Sequence, residues 1–148
     1  MPTHFKLTRV LTTAAAAVIG VAGLTACGAN EAQDGGDDAA PVIALLLPES
    51  NTTRYETFDR PFFEDKVAEL CEECEVRYYN ADQDESQQNE QVESAIGAGA
   101  DVVVLDPVNG DGAGGMVQSA QESGAPVIAY DRFIEGADYY MSFDNFTV

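Results

Sequence analysis

Carboxylates, guanidinium groups and amides recur directly after short apolar runs in this sequence. Pro48-Glu49-Ser50-Asn51 and then Arg54-Tyr55-Glu56 follow Leu47, and Asp106-Pro107-Val108-Asn109 follows Leu105. Asp131-Arg132 follows Tyr130, and Asp144-Asn145 follows Phe143. A neutral polyol needs such a set, because every hydroxyl both donates and accepts and a planar charged group can grip two neighbouring hydroxyls. Asp131, Arg132, Arg54 and Tyr55 are the candidate binding residues, joined by Asp106 and Asn109. An aromatic such as Tyr55 or Phe133 would offer an apolar face to a ring's C–H side. Each has a plainer alternative. Asp131 and Arg132 could form a surface ion pair, and Asp106 and Asn109 suit a strand-end turn, Asp-Pro being a turn signal.

Catalytic constellations are scarce. The one histidine, His4, lies near the N-terminus, and the chain carries neither Gly-x-Ser-x-Gly nor a Walker-type glycine loop. Asp106 and Asp131 could serve as the paired carboxylates of a glycoside-cleaving enzyme, which is the competing function from another class. No metal or cofactor site is expected. Cys71 and Cys74 are expected to form a local disulfide. The rivals are a redox-active Cys-x-x-Cys and half of a zinc site, although no second cysteine pair exists. Glu72, Glu73 and Glu75 beside them would raise a thiol pKa and so disfavour a reactive thiolate.

The elements that must position these groups alternate. Runs 42–47, 76–79, 102–105 and 127–130 are apolar apart from Arg77, which predicts strands buried on both faces. Between them, 59–70, 86–98 and 112–123 are long enough to cross back over a sheet as helices. In the second, Val92, Ala95 and Ile96 make an apolar stripe, with Gln87, Gln88, Glu90, Gln91 and Glu93 assigned to the wet side. Gly97 and Gly99 mark its end. A fifth strand is placed at 139–143. The fold class is therefore α/β, an open parallel sheet flanked by helices. In such sheets ligands bind beyond the carboxyl ends of the strands, where the polar groups above lie.

The N-terminus addresses the compartment. Lys6 and Arg9 precede an apolar, alanine-rich stretch that is short for a membrane span, and Leu24-Thr25-Ala26-Cys27 follows. This order predicts a signal peptide over 1–26. The tetrapeptide resembles the lipobox of bacterial lipoproteins, which implies acylation of Cys27; an ordinary signal peptide with a chance cysteine is the alternative. Residues 27–40 contain no large apolar group and are expected to be a flexible tether, leaving 41–148 as one folded lobe. The chain carries 7 basic residues against 26 acidic, a net charge of −19. Nucleic acid and electrostatic binding to anionic lipid are poor fits for that surface, so the expected membrane link is the lipid on Cys27. A chain ending shortly after its fifth strand is expected to lack a following helix and a second lobe.

Taken together, Arg54-Tyr55-Glu56 with Asp59-Arg60, Asn80-Ala81-Asp82, Gly99 through Pro107, Ala129-Tyr130-Asp131-Arg132 and Tyr140 through Asn145 resemble the xylose-type branch of periplasmic sugar-binding proteins, within the ribose-binding-like superfamily. The resemblance covers roughly residue 41 to the end and implies two Rossmann-like lobes joined by a hinge. A monosaccharide, with a pentose favoured, would be held between them, and closure would present a surface to the membrane subunits of an ABC importer. It implies a monomer when complete, outside the cytoplasm. By position, Asp131 and Arg132 resemble the pair that grips sugar hydroxyls, and Arg54 and Tyr55 the first-loop residues at the cleft edge. Asp144 and Asn145 fit better as ties of the hinge strand. A sensor that passes occupancy to a receptor would use the same lobes. A regulator of related fold is disfavoured, since a signal peptide stands where its helix-turn-helix would be.

Overall fold

The computed structural model describes residues 39–144. The expected signal peptide, Cys27, nearly all of the tether and Asn145 lie outside the described residues.

Five strands form one parallel sheet: β1 (Val42–Leu47), β2 (Glu75–Asn80), β3 (Val102–Leu105), β4 (Val127–Tyr130) and β5 (Tyr139–Met141). Their order across the sheet is β2-β1-β3-β4-β5. β1 is an interior strand, with Ile43 level with Val76 on one side and Val102 on the other. Its period-2 alternation sends Ala44 and Leu46 to one face and Leu45 and Leu47 to the other, and both faces are covered. Edge strand β2 departs from the expected two-sided burial. β2 is exposed or half-buried throughout and β5 is exposed at all three residues, because an edge strand has a neighbour on one side only.

The larger core lies where α2 (Glu85–Gly97) and α3 (Gly114–Glu122) cover the sheet, with Val92, Ala95, Met116, Val117 and Ala120 packed on Leu46, Val103, Leu105 and Val127. On the opposite face lies α1 (Arg60–Leu70), preceded by one π-helical turn at Tyr55–Asp59. Pro61 accounts for that turn: it has no N–H for the Thr57 carbonyl, and its ring crowds it. The Arg60 N–H accordingly reaches back to the Tyr55 carbonyl. α1 buries none of its residues fully, and Phe62 is 64% exposed. An apolar depression of about 310 Å³ beside it is lined by Leu45, Leu47, Phe62, Phe63, Tyr130 and Met141 among others.

α2 starts where the Asp84 carboxylate accepts from the Ser86 and Gln87 N–H groups at 2.8 and 3.0 Å, an N-cap that satisfies two orphan donors. It ends before Gly99, whose φ of +81° favours glycine. Gln88 contradicts its assignment to the wet side of this helix. It is 0% exposed, and its amide donates to the Asp106 carbonyl at 2.9 Å and accepts from the Val108 N–H at 2.8 Å. Its partners come from the turn after β3, which helical periodicity cannot show. Gln91, half-buried, also departs from the wet side and donates to the Asn80 carbonyl at 2.6 Å. Cys71 and Cys74 are disulfide-bonded across the turn from α1 to β2, with Cα atoms 5.3 Å apart.

Candidate functional site

The carboxyl ends of β1, β3 and β4 lie side by side because these strands are neighbours and parallel. Parallel pairing thus brings Glu49, Asp106 and the Asp131-Arg132 pair to one rim of the sheet. The π-helical turn brings Arg54 and Tyr55 to the same place. Five of the six binding candidates meet there.

Asp131 leaves β4 with φ +62°, a left-handed conformation that aspartate tolerates better than most residues but that still costs free energy. Its N–H donates to the Met141 carbonyl at 2.8 Å, so β5 holds the turn in place. Its carboxylate faces Arg54, with Oδ2 3.1 Å from Nη2. Arg54 also pairs through Nε with Asp59 at 2.9 Å. Burial works against the Arg54 charge, yet the two carboxylates hold its pKa above the ordinary value.

Arg132 points its guanidinium along the rim. Nη1 donates to the Pro107 carbonyl at 2.7 Å and lies 3.4 Å from Asp106 Oδ1, while Nη2 donates to the Tyr55 hydroxyl at 3.4 Å. Its side chain keeps 43% of its exposure, leaving donors free to meet a ligand. Asp106 is 0% exposed. Burial pushes its pKa up to about 7, with Arg132 and the Tyr55 hydroxyl pulling the other way. A side chain so enclosed cannot touch a ligand in this arrangement. Tyr55 is also buried, 3% exposed, with its ring among Leu45, Leu47 and Val104. It presents a hydroxyl to the rim, and its apolar face is already spent on the core. Phe133 is exposed and meets Tyr140 edge to face at 5.5 Å. Asn109 does not join the cluster through a hydrogen bond: its Oδ1 accepts from the Asp111 N–H within its own turn, at 3.2 Å.

Beside Arg132 opens a polar groove of about 260 Å³, lined by Pro48, Glu49, Thr52, Gln83, Val108 and Arg132. Glu49, Thr52 and Gln83 were missed as site residues. Glu49 had a signal, since it follows the first strand. Its carboxylate accepts from the Asn51 and Thr52 N–H groups, and hydrogen bonding by Thr52 holds it below the usual carboxylate range. Gln83 had none. It reaches the groove because Asp82 and Gln83 both adopt positive φ, 55° and 67°, and the Gln83 N–H is tied to the Pro48 carbonyl at 2.8 Å. Among the described residues no group of histidine, cysteine, aspartate and glutamate is arranged to hold a metal ion.

The parallel α/β fold is matched in known proteins. Residues 43–148 fit the periplasmic binding protein domain. The chain belongs to that family. Among its relatives, a D-xylose-binding periplasmic protein of Escherichia coli (strain K12) is 39% identical over 105 residues, 70% of this chain and 31% of that protein. A xylitol-binding protein of Mycolicibacterium smegmatis is 32% identical over 125 residues, 84% of this chain and 34% of the relative. The crystal structure of an ABC transporter solute binding protein from Clostridium phytofermentans with bound β-D-glucose superposes with a TM-score of 0.64 at 30% identity. That match covers 70% of this chain and 32% of the other. The chain spans about a third of the length of these family members.

Proposed function

We propose that this chain provides the first lobe of a substrate-binding lipoprotein that captures a monosaccharide outside the cytoplasm and delivers it to an ABC importer, without chemical change to the sugar. The observation that carries this is the rim itself. Arg132 retains open donors next to a polar groove, and Asp131 is held beside it on a turn that departs from the comfortable backbone regions. Guanidinium, carboxylate and amide groups around a shallow groove suit hydroxyls that donate and accept together. Relatives named for D-xylose and xylitol support a pentose-like ligand, and the glucose-bound structure supports the wider sugar class. A second lobe closing over the groove would supply the remaining contacts, and acylated Cys27 would anchor the protein.

The test is calorimetric titration of the full-length protein, with its second lobe, against D-xylose, glucose, ribose, arabinose and galactose. One sugar should bind one to one, and Asp131→Ala or Arg132→Ala should weaken it roughly 10-fold to 100-fold, the usual cost of losing a hydrogen bond to a charged group. Absence of heat with every sugar would refute the monosaccharide assignment.

A further inference from the structure

Asp106 is the charged group at the rim that a ligand cannot reach. It is fully buried, and neither carboxylate oxygen accepts a hydrogen bond of ordinary geometry among the described residues. Its backbone is immobilised, since Gln88 clamps the Asp106 carbonyl and the Val108 N–H, and Pro107 follows directly. The charged and titratable groups around it come from three elements. Arg54 and Tyr55 face it from the π-helical turn and Asp131 and Arg132 from the end of β4. Glu49, after β1, faces Arg132 in turn. Of these, the Arg132 guanidinium is its ion-pair partner, at 3.4 Å.

We propose that Asp106 is a positioning residue for Arg132: ionised, its buried carboxylate holds the guanidinium at the edge of the groove, and protonated it leaves the guanidinium to the Pro107 carbonyl and the Tyr55 hydroxyl alone, so ligand capture weakens as the medium becomes acidic. The proposal rests on the sugar-binding reading for its ligand, although the Asp106–Arg132 coupling can be observed without one. Burial favours the neutral form of such a carboxyl and the neighbouring guanidinium groups its ionised form, so its protonation and the position of Arg132 are coupled. The pH window follows from its raised pKa of about 7, well inside the neutral range. Glu49, held below the usual carboxylate range, stays ionised across that window and does not share the transition. No histidine lies among the described residues to mimic it.

Two measurements on the full-length protein decide the matter. In unliganded, 15N-labelled protein, the Arg132 Nε–H resonance, assigned with Arg132→Lys, should shift between pH 5.5 and 8 with a midpoint near 7. In titrations of the sugar that binds, Kd should rise on the order of tenfold from pH 8 to pH 5.5, the scale expected for one linked proton. Asp106→Asn, similar in size and neutral throughout, should flatten both profiles and bind at pH 8 as weakly as the wild type does at pH 5.5. The wild-type profiles stand if that variant fails to fold. A pH-independent Arg132 resonance, or a sugar affinity flat across the window, overturns the positioning role. Absence of any sugar binding overturns the functional reading instead, and the resonance alone then decides the coupling.

Discussion

Replacing Gln88 by leucine tests whether a buried side-chain amide secures the rim. The substitution keeps the side chain's approximate volume and removes both hydrogen bonds, at 2.9 Å to the Asp106 carbonyl and 2.8 Å from the Val108 N–H. Each backbone group left without a partner in the interior costs about 1–3 kcal/mol. Better burial of leucine recovers about 1–2 kcal/mol of that, so the net loss should be about 1–4 kcal/mol. For a folded unit of this size the melting temperature should fall by roughly 5 °C or more. Urea unfolding followed by circular dichroism reads the change as a lower midpoint at constant slope. Gln88→Glu supplies an internal control: an ionised carboxylate can still accept from Val108 but cannot donate to the Asp106 carbonyl. That variant should be less stable than the wild type at pH 8 and recover part of the difference at pH 5, where a protonated carboxyl can donate. A Gln88→Leu protein within about 0.5 kcal/mol of the wild type, the ordinary range for surface substitutions, would refute the claim that this amide satisfies the two backbone groups.

Asp84→Ala removes the N-cap of α2 and should cost about 1 kcal/mol in the same unfolding assay, with Asp84→Asn close to the wild type. Replacing Cys71 and Cys74 together by serine opens a loop only three residues apart in sequence, so the stability loss should stay near 2 kcal/mol or below. Hydrogen exchange should then quicken chiefly at the end of α1 and the start of β2. Cys27→Ser in the expressing cell should abolish incorporation of a labelled fatty acid into the protein; label retained by the variant would refute acylation of that residue.

Much of the architecture was legible locally. β1, β3 and β4 have the bounds that their apolar runs predict, because a strand buried on both faces leaves an unbroken aliphatic signature. The alternation of such runs with helix-length segments was enough for a parallel α/β sheet, and the rule that ligands gather at carboxyl strand ends pointed to Asp131 and Arg132. The edge positions of β2 and β5 were not legible, since strand order is a property of the sheet and not of the strand. Gln88 looked like a surface residue of an amphipathic helix because its partners belong to another segment. Tyr55 looked like a stacking platform, yet its ring completes the core under the rim and leaves only a hydroxyl there.

Residue types and spacing by themselves determined the layered fold and the chemical character of the rim, because propensity, periodicity and turn chemistry act over a few neighbouring residues. The pairing of those groups was decided by the tertiary structure. Arg54 meets Asp131 across 77 residues, and Arg132 reaches the Pro107 carbonyl across 25 and sits against Asp106. Such contacts, and the burial that moves the Asp106 carboxyl toward neutrality, exist only once parallel strands have brought distant strand ends to one edge of the sheet.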